Sequence, residues 1–380
     1  MAMFTFEPAR LPESTRKLRQ EVREFLKSEQ PPGKAQVDAW LGAFSPDFSR
    51  KLGKQGYIGM TWPRRYGGHE RSELERYVVL EELLAAAAPV SLHWVADRQM
   101  GPLILRYGTE EQKQRYLPKM AQGESYWAIG MSEPGAGSDL AAITAKLVPD
   151  GPGYRLSGQK IWTSGAHRSH YMMTLVRSGE TSSDRHQGLT NVIVDLADPA
   201  VAIRPIRILN GEHHFNEVFF HDVSIPPESV LGVVGDGWTQ VTEELAHERS
   251  GPERFLSTLP LLRSLSTYAR SHDHVAFVRE IMPLISELVT IRELSLAIAV
   301  ILSQGGHPVV EAAVVKDMGT KLERKITEVA ERILPQVPGC DQDDFTRLVT
   351  DSLLHGPGFT IRGGTNEILQ GIIARGLGTR

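Results

Sequence analysis

Two stretches of this chain hold residue types whose spacing could do chemistry. The first is Met131-Ser132-Glu133-Pro134-Gly135-Ala136-Gly137-Ser138-Asp139, the densest run of small residues. Gly135 and Gly137 let backbone amides approach a ligand closely, and Ser132 and Ser138 add hydroxyl donors. Such a loop can cradle a phosphate or a carbonyl-rich ring edge. On pattern alone an ordinary Pro-Gly turn is the plainer reading, and the Gly-x-Gly-x-x-Gly spacing of a dinucleotide fold is missing. The second is Glu248, near the end of a run from Thr239 to Arg249. Val241, Leu245 and Glu248 stand at i, i+4 and i+7, which places a carboxylate on the apolar face of a helix. A carboxylate in a dry site has a raised pKa and can serve as a base, whereas a partly exposed helix-end acid is the usual fate of glutamate. Glu243 and Glu244 project elsewhere and read as solvated surface acids.

Three regions must position these residues. From Pro12 to about Ala121 the pattern is helical, with Leu18, Val22, Phe25 and Leu26 at helical spacing and breaks at Pro31-Pro32-Gly33 and Gly67-Gly68. The small residues from Leu84 to Ala88 suggest tightly packed helices. From Tyr126 to about Val234 the period shortens. Strands are expected at Tyr154 to Gly158, Tyr171 to Val176, Asn191 to Leu196, Val201 to Ile206 and Glu217 to Val223, with turns at Asp150-Gly151-Pro152-Gly153 and Asp198-Pro199. After Gly235-Asp236-Gly237 the helical period returns, over 239–249, 255–270, 275–304 and 310–334, as in an antiparallel bundle. The expected fold is α+β and multidomain: an N-terminal α-helical domain (1–122), a central β-barrel or sandwich domain (123–234) and a C-terminal four-helix bundle (235–380).

Bulk properties narrow the classes. A chain of 380 residues has ample core for two or three domains. The net charge of −4, with both signs mixed throughout, gives no basic stripe for nucleic acid. Met1 to Arg19 has no apolar run of signal-peptide type, and no stretch has the ~18 uninterrupted apolar residues of a membrane helix. Cys340 is the only cysteine, so no intrachain disulfide forms and a cytoplasmic location is expected. Glu212-His213-His214 lacks a second ligand pair and reads as a polar loop before a strand, so no metal is expected. His167 and His170 read as surface or interface residues. No nucleophile elbow is present, and Asp341 to Asp344 reads as a solvated loop.

The order of motifs adds more. Tyr126-Trp127-Ala128-Ile129-Gly130 leads into the glycine loop, and Gly158-Gln159-Lys160-Ile161-Trp162-Thr163-Ser164 follows after one hairpin. Asn216-Glu217-Val218-Phe219-Phe220, Gly237-Trp238 and Arg362-Gly363-Gly364-Thr365-Asn366-Glu367-Ile368 come later. In sequence and spacing these resemble the signatures of the acyl-CoA dehydrogenases, over essentially the whole chain. The resemblance implies FAD between the β-domain and the C-terminal bundle. Ile129, Met131 and Ser132 would hold the pyrimidine edge of the isoalloxazine. Trp162 would pack against the ring with Thr163 and Ser164 beside it. Gly137 belongs to the cofactor loop, and Ser138 falls where the family contacts cofactor phosphate or the CoA chain. Without the resemblance, Trp162 reads as an ordinary strand core residue. Thr365, Asn366 and Glu367 match positions that contact the adenosine half of FAD.

The resemblance also bears on the base. Many members carry a catalytic glutamate directly before Gly-Thr, where this chain has glycine: Gly363, with Gly364 after it, forms part of the substrate site. Glu248-Arg249 matches the isovaleryl-type position of the base, so Glu248 is the expected catalytic residue and Arg249 a substrate-site residue. The thioester carbonyl would be polarised by a flavin ribityl hydroxyl and the Gly363 amide. Glycine opposite the base leaves room for a branched, long or bulky acyl-CoA. Electrons would pass to an electron-transfer flavoprotein. The alternatives are a flavin oxidase on the same fold or a weakly catalytic partner subunit.

Two segments depart from the family pattern. In the Arg-x-x-Phe-Gly element that reaches a neighbouring subunit's FAD, His272 and Val275 replace the arginine and phenylalanine. Gln336-Val337-Pro338-Gly339-Cys340 matches the Gln-x-x-Gly-Gly element only in part, leaving Gln336 and Gly339 as candidate cofactor contacts. The assembly is expected to be either a homo-oligomer (dimer or tetramer) or a heterotetramer with a related subunit.

Overall fold

The structure is a computed structural model that describes residues 6, 8–31, 33–179, 184–271, 275–336 and 344–379; side chains at 244–248, 271, 275 and 336 lie outside the description. The chain opens with helices α1 Glu13–Glu29, α2 Ala39–Gly42, α3 Pro46–Lys54, α4 Glu73–Ala85, α5 Ser91–Val95, α6 Gly101–Tyr107 and α7 Glu110–Ala121. Strands β1 Trp127–Gly130, β2 Lys146–Asp150, β3 Gly153–Ser164, β4 Tyr171–Arg177, β5 Leu189–Asp195, β6 Val201–Arg207 and β7 His213–Ile225 follow. Helices α8 Gly237–Glu248, α9 Leu259–Ser271, α10 Val275–Ser303, α11 Val309–Ile333, α12 Asp344–Phe359 and α13 Asn366–Gly376 complete the chain.

Local chemistry sets the helix ends. The Ser72 hydroxyl accepts from Glu75 N while the Glu75 side chain accepts from Ser72 N, a reciprocal cap that starts α4; Thr109 and Gln112 do the same for α7. The small-residue run at 84–88 corrects the sequence expectation. It ends α4 and turns the chain, with Ala87 at φ +51 and the amides of Ala87 and Ala88 returning to Leu84 and Leu83 carbonyls. Small side chains are tolerated there because the turn needs a left-handed residue.

The chain divides into two compact units, one of Met1–Ala43, Ser72–Pro89 and Ala246–Arg380, the other of Phe44–Arg71 and Val90–Leu245. In the helical unit, α9 to α12 form a bundle: α10 packs on α11, α11 on α12, and α12 on α9, while α13 lies along α11. The expected fourth helix was 239–249, whose place is taken by α12. Two buried acids, Glu81 and Glu82, lock α4 into this unit. Glu81 takes Arg19 at 2.7 Å and Arg292 of α10, and Glu82 takes Arg23 at 2.7 Å as well as Arg19. Buried carboxylates persist only with such partners.

The other unit is built on a seven-stranded sheet in the order β1-β4-β2-β3-β7-β6, with β5 also paired to β4. Strands β1 and β2 run parallel to β4, and the remaining pairs are antiparallel. The sheet core is Leu147, Leu156, Met172, Val176, Val192, Val194, Val218, Phe220 and their neighbours. β1 and β2 were not among the strands expected from the sequence, and β3 extends the expected strand Tyr154 to Gly158 through Ser164. β2 buries only Leu147 and exposes Val148 and Pro149 along with its charged ends, so it lacks the alternation that marks a half-buried strand.

β3 is the strand that positions the site, and two shifts of register against β7 shape it, between Leu156 and Gly158 and between Lys160 and Thr163. At the first, Gly158 has φ +142, and a Cβ there would lie 2.7 Å from both Cα and Cβ of Ala145. Gly158→Ala is therefore expected to cost about 2–4 kcal/mol from backbone strain and overpacking together. Urea denaturation of the two proteins, fitted with a common slope, measures the difference.

Candidate active site

β1 delivers the chain to the glycine loop, and β3 fixes the loop from behind. Lys160 is fully buried, and its Nζ donates to the Met131 carbonyl at 3.0 Å and to Glu133 Oε1 at 2.8 Å. Glu133 also accepts from Thr144 N at 2.7 Å, Thr144 Oγ1 at 2.8 Å and Ala145 N at 3.0 Å. The Ile161 amide donates to the Ser132 carbonyl at 2.9 Å. Both loop carbonyls are thereby held by β3. Burial pulls the Lys160 ammonium down to about 8 against the opposing pull of Glu133. Burial pushes Glu133 up, but Lys160 and the Thr144 and Ala145 amides outweigh it and hold the carboxyl below its ordinary value.

The glycines of the loop are not needed by the chain's own packing. A Cβ at Gly135 or Gly137 would meet nothing within 4 Å, and neither residue has a positive φ. Bare backbone is left open on the exposed side, beside Ser138, which is exposed; Ile129, Met131 and Ser132 are half-buried.

The second register shift on β3 turns Trp162 outward. Its φ is +59 and it is 55% exposed, edge-on to Phe215 with ring centroids 5.9 Å apart. Pattern alone, without the family resemblance, would have made it a core tryptophan; a bulge re-aims one side chain of a strand away from its regular face. A left-handed, non-glycine aromatic costs conformational energy, and such strain gathers at functional sites. Thr163 beside it points inward, its Oγ1 buried without a hydrogen-bond partner and its carbonyl taken by Asn216 Nδ2 at 2.9 Å. Ser164 is half-buried.

In the helical unit the Gly363-Gly364 turn is held by cations. Both glycines have positive φ, +66 and +90. Arg249, buried, donates through Nε to the Gly363 carbonyl at 3.1 Å, and fully buried Lys316 of α11 donates to the Gly364 carbonyl at 2.7 Å. A Cβ on Gly364 would lie 3.1 Å from the Arg249 guanidinium. The last turn of α8, where Glu248 stands next to Arg249, is thus tied to the glycine turn. The Glu248 side chain itself lies outside the described residues.

The remaining candidates divide. Thr365 caps α13 by accepting from Ile368 N at 3.3 Å. Asn366 is buried with Oδ1 taken by Thr320 Oγ1 at 3.2 Å, while Glu367 is exposed. Gln336 ends a short turn, Leu334–Gln336, with its side chain outside the described residues, as are His272 and Gly339 altogether. Glu243 is not a free surface acid: it pairs with Arg106 at 2.7 Å and accepts from the Tyr107 hydroxyl. Asp344 begins α12 and pairs with Lys34 at 2.9 Å. His167 stacks on His213 at 4.0 Å with both ring nitrogens buried, and burial pulls it down to about 4. His213 Nε2 bonds Asn216 Oδ1 at 2.8 Å, and His170 Nδ1 accepts from Tyr126 N at 3.0 Å. Among the described residues no three His, Cys, Asp or Glu side chains gather around a metal position, and no helix is long and apolar enough to cross a membrane.

Sequence reasoning missed Glu133, Lys160 and Lys316. A signal was present for two of them. Lys160 falls on the inward face of β3 in step with Leu156, and Lys316 sits among the buried Ala312, Ala313 and Val315 of α11. A lysine in register with core residues needs a fixed acceptor.

Removing the β3 anchor has a defined cost. Lys160→Met leaves a buried carboxylate and an unpaired loop carbonyl, and is expected to destabilise the chain by about 3–5 kcal/mol. Adding Glu133→Gln to it should recover part of the loss, because the uncompensated charge is gone. Denaturant melts of the single and double variants give both numbers.

Known proteins place the chain. The N-terminal domain of acyl-CoA dehydrogenases matches residues 12–124, and the middle domain of the same family matches 128–223. Acyl-CoA dehydrogenase IpdE1 of Mycobacterium tuberculosis is 33% identical over 337 residues, 86% of this chain and 86% of its own length. Among solved structures, the Tcur3481-Tcur3483 steroid ACAD is 28% identical, covers 97% of this chain and 98% of its own, and superposes with a TM-score of 0.85. The ChsE4-ChsE5 complex of Mycobacterium tuberculosis is 26% identical, with 98% of each chain covered and a TM-score of 0.83. The chain belongs to the acyl-CoA dehydrogenase family, flavoprotein oxidoreductases that act on CH–CH bonds in lipid β-oxidation.

Proposed function

We propose that this chain is an FAD-dependent dehydrogenase of a bulky acyl-CoA, with Glu248 as the base that removes the α-proton. The observation that carries this reading is the Arg249 bond to the Gly363 carbonyl, which ties the helix end bearing Glu248 to the turn where many relatives have a glutamate. The local residues suit a flavin. An aromatic face is turned out by a bulge at Trp162, the bare backbone at Gly135 and Gly137 is open, and the carbonyls of Met131 and Ser132 are already bonded inward. Ile129, Met131 and Ser132 would hold the ring edge, with Trp162, Thr163 and Ser164 along its face. Gly137 and Ser138 would lie toward the phosphates or CoA chain, and Thr365, Asn366 and Glu367 toward the adenosine half, with Gln336 and Gly339 as the candidate contacts to the cofactor of a neighbouring subunit.

FAD, when bound, accepts the hydride that leaves the β-carbon. The chain's own work is to orient the thioester, exclude water and take the α-proton onto the Glu248 carboxylate. A weakly acidic α-carbon needs a base raised by desolvation and a polarised carbonyl. The Gly363 amide is the donor assigned to that carbonyl, and a donor on the backbone survives the loss of the side chain. Electrons then pass to an electron-transfer flavoprotein.

Glycine at 363 removes side-chain bulk opposite the base, which favours a branched or polycyclic acyl group over a short straight one. The structural relative described as a steroid ACAD supports that class. Its two-protein designation, and that of the ChsE4-ChsE5 complex, support an assembly of this chain with a related subunit alongside the homo-oligomer. The flavin-to-protein ratio and mass of the chain expressed alone separate the two.

Two experiments test the reading. Glu248→Gln keeps the side-chain shape and removes the acid; anaerobic bleaching of the flavin by acyl-CoA is expected to slow by at least ~100-fold with flavin still bound. Bleaching at the parent rate would remove Glu248 from the mechanism. Across a panel of thioesters, kcat/KM should favour steroid-type and branched acyl groups over butyryl-CoA by at least ~10-fold. A preference for butyryl-CoA contradicts the bulky-acyl assignment.

A further inference from the structure

One buried charged cluster of the helical unit has no part in the reading above. Asp38 precedes α2 with a left-handed backbone, φ +60, and is 4% exposed. Its Oδ1 accepts from the Ser257 hydroxyl at 2.9 Å, and its Oδ2 is gripped by Arg362 Nη1. Arg362 Nη2 donates to Ser257 Oγ at 3.0 Å, and its guanidinium lies over Trp40 (5.0 Å) and Phe359 (5.2 Å). Trp40 Nε1 donates to the same Ser257 oxygen at 3.2 Å, and the Asp38 amide donates to the Ser257 carbonyl at 3.1 Å. Every polar atom of this knot that touches Asp38 holds it toward Arg362.

Other charges surround the pair. His355 Nδ1 of α12 lies 3.9 Å from Asp38 Oδ2. Glu323 of α11 accepts from Ser257 N at 2.9 Å and lies 3.9 Å from Arg362 Nη2. Arg254 lies 5.5 Å from the centre of the Trp40 ring. Burial pushes Asp38 up, but Arg362, His355 and the hydrogen bonds outweigh it and keep the carboxyl below its ordinary value. Burial pushes Glu323 up to about 7. Asp38 is therefore the charged partner of Arg362 at neutral pH.

The position of Arg362 gives the knot its meaning. It directly precedes Gly363, whose carbonyl Arg249 holds, and Gly364, whose carbonyl Lys316 holds. Two glycines in succession leave this segment with no side chain of its own to fix it, and glycine is the residue with most conformational freedom to lose. The grip on Arg362 is the side-chain anchor on the entering side of the turn. We propose that Asp38 and Arg362 are positioning residues for the oxidation, their buried pair fixing the peptide plane that enters Gly363. The inference rests on the assignment of the Gly363 amide to the thioester carbonyl. A misplacement of that donor by a fraction of an ångström weakens the transition state more than the bound substrate.

Asp38→Asn is the test, because asparagine tolerates the left-handed backbone and still accepts hydrogen bonds while losing the charge. Arg362→Lys is the second, because an ammonium cannot reproduce the two-pronged contact with Asp38 and Ser257. In each, the limiting rate of anaerobic flavin reduction should fall at least ~10-fold, with half-saturating acyl-CoA and bound flavin within about twofold of the parent. The double variant should fall no further than the slower single one. The absorption shift of a bound aryl-acryloyl-CoA, which reports polarisation of its carbonyl, should shrink in both. Parent-like rates and shifts overturn the proposal, as does a rate loss that only tracks lost flavin or lost folded protein in both variants. Glu248→Gln run beside them keeps the two claims apart: it should abolish proton removal yet leave the absorption shift intact. A parent-like rate there removes the base and leaves the Asp38 comparison standing.

Discussion

The structure of the candidate site depends on the way two successive carbonyls, those of Gly363 and Gly364, are held by the buried cations Arg249 and Lys316. Each glycine has a positive φ, a conformation that glycine adopts without strain. At Gly364, one residue past the position of the absent carboxylate, the Arg249 guanidinium lies where a methyl group would be crowded. The residue before Arg249 is Glu248, the proposed base.

In the sheet unit the corresponding constraint is β3. A fully buried lysine holds the Met131 carbonyl, a strand amide holds the Ser132 carbonyl, and two residues further on a bulge turns Trp162 to solvent. Strand, loop and exposed indole are thus set by one continuous piece of chain. Rigid backing of this kind suits a group that must meet a planar ring with little freedom. The cost is a buried ion pair and a tryptophan with a left-handed backbone.

Much of this was legible in the sequence. The glycine loop, the tryptophan strand and the helices after residue 235 all follow from spacing and from family motifs, while the assignment of the base to Glu248 stands as a proposal. What was not legible depends on contacts between distant residues. Nothing near Lys160 in sequence announces Glu133 as its partner, and nothing near Asp38 announces Arg362, 324 positions away. The outward turn of Trp162 was not legible from pattern alone, because a bulge, one extra residue on one strand, leaves no trace in a period-two pattern. Glu243 read as solvated because its partners Arg106 and Tyr107 come from another helix. β2 was missed because four of its five residues are exposed.

The central claim is that proton removal belongs to the helix end tied to Gly363. Its most direct measure is solvent-deuterium incorporation at the α-carbon of a 3-thia acyl-CoA, a substrate analogue that cannot complete the oxidation. The flavin-loaded protein is predicted to exchange the α-hydrogen, and to lose that exchange when Glu248 alone becomes glutamine. Exchange at the parent rate in that variant would contradict the account.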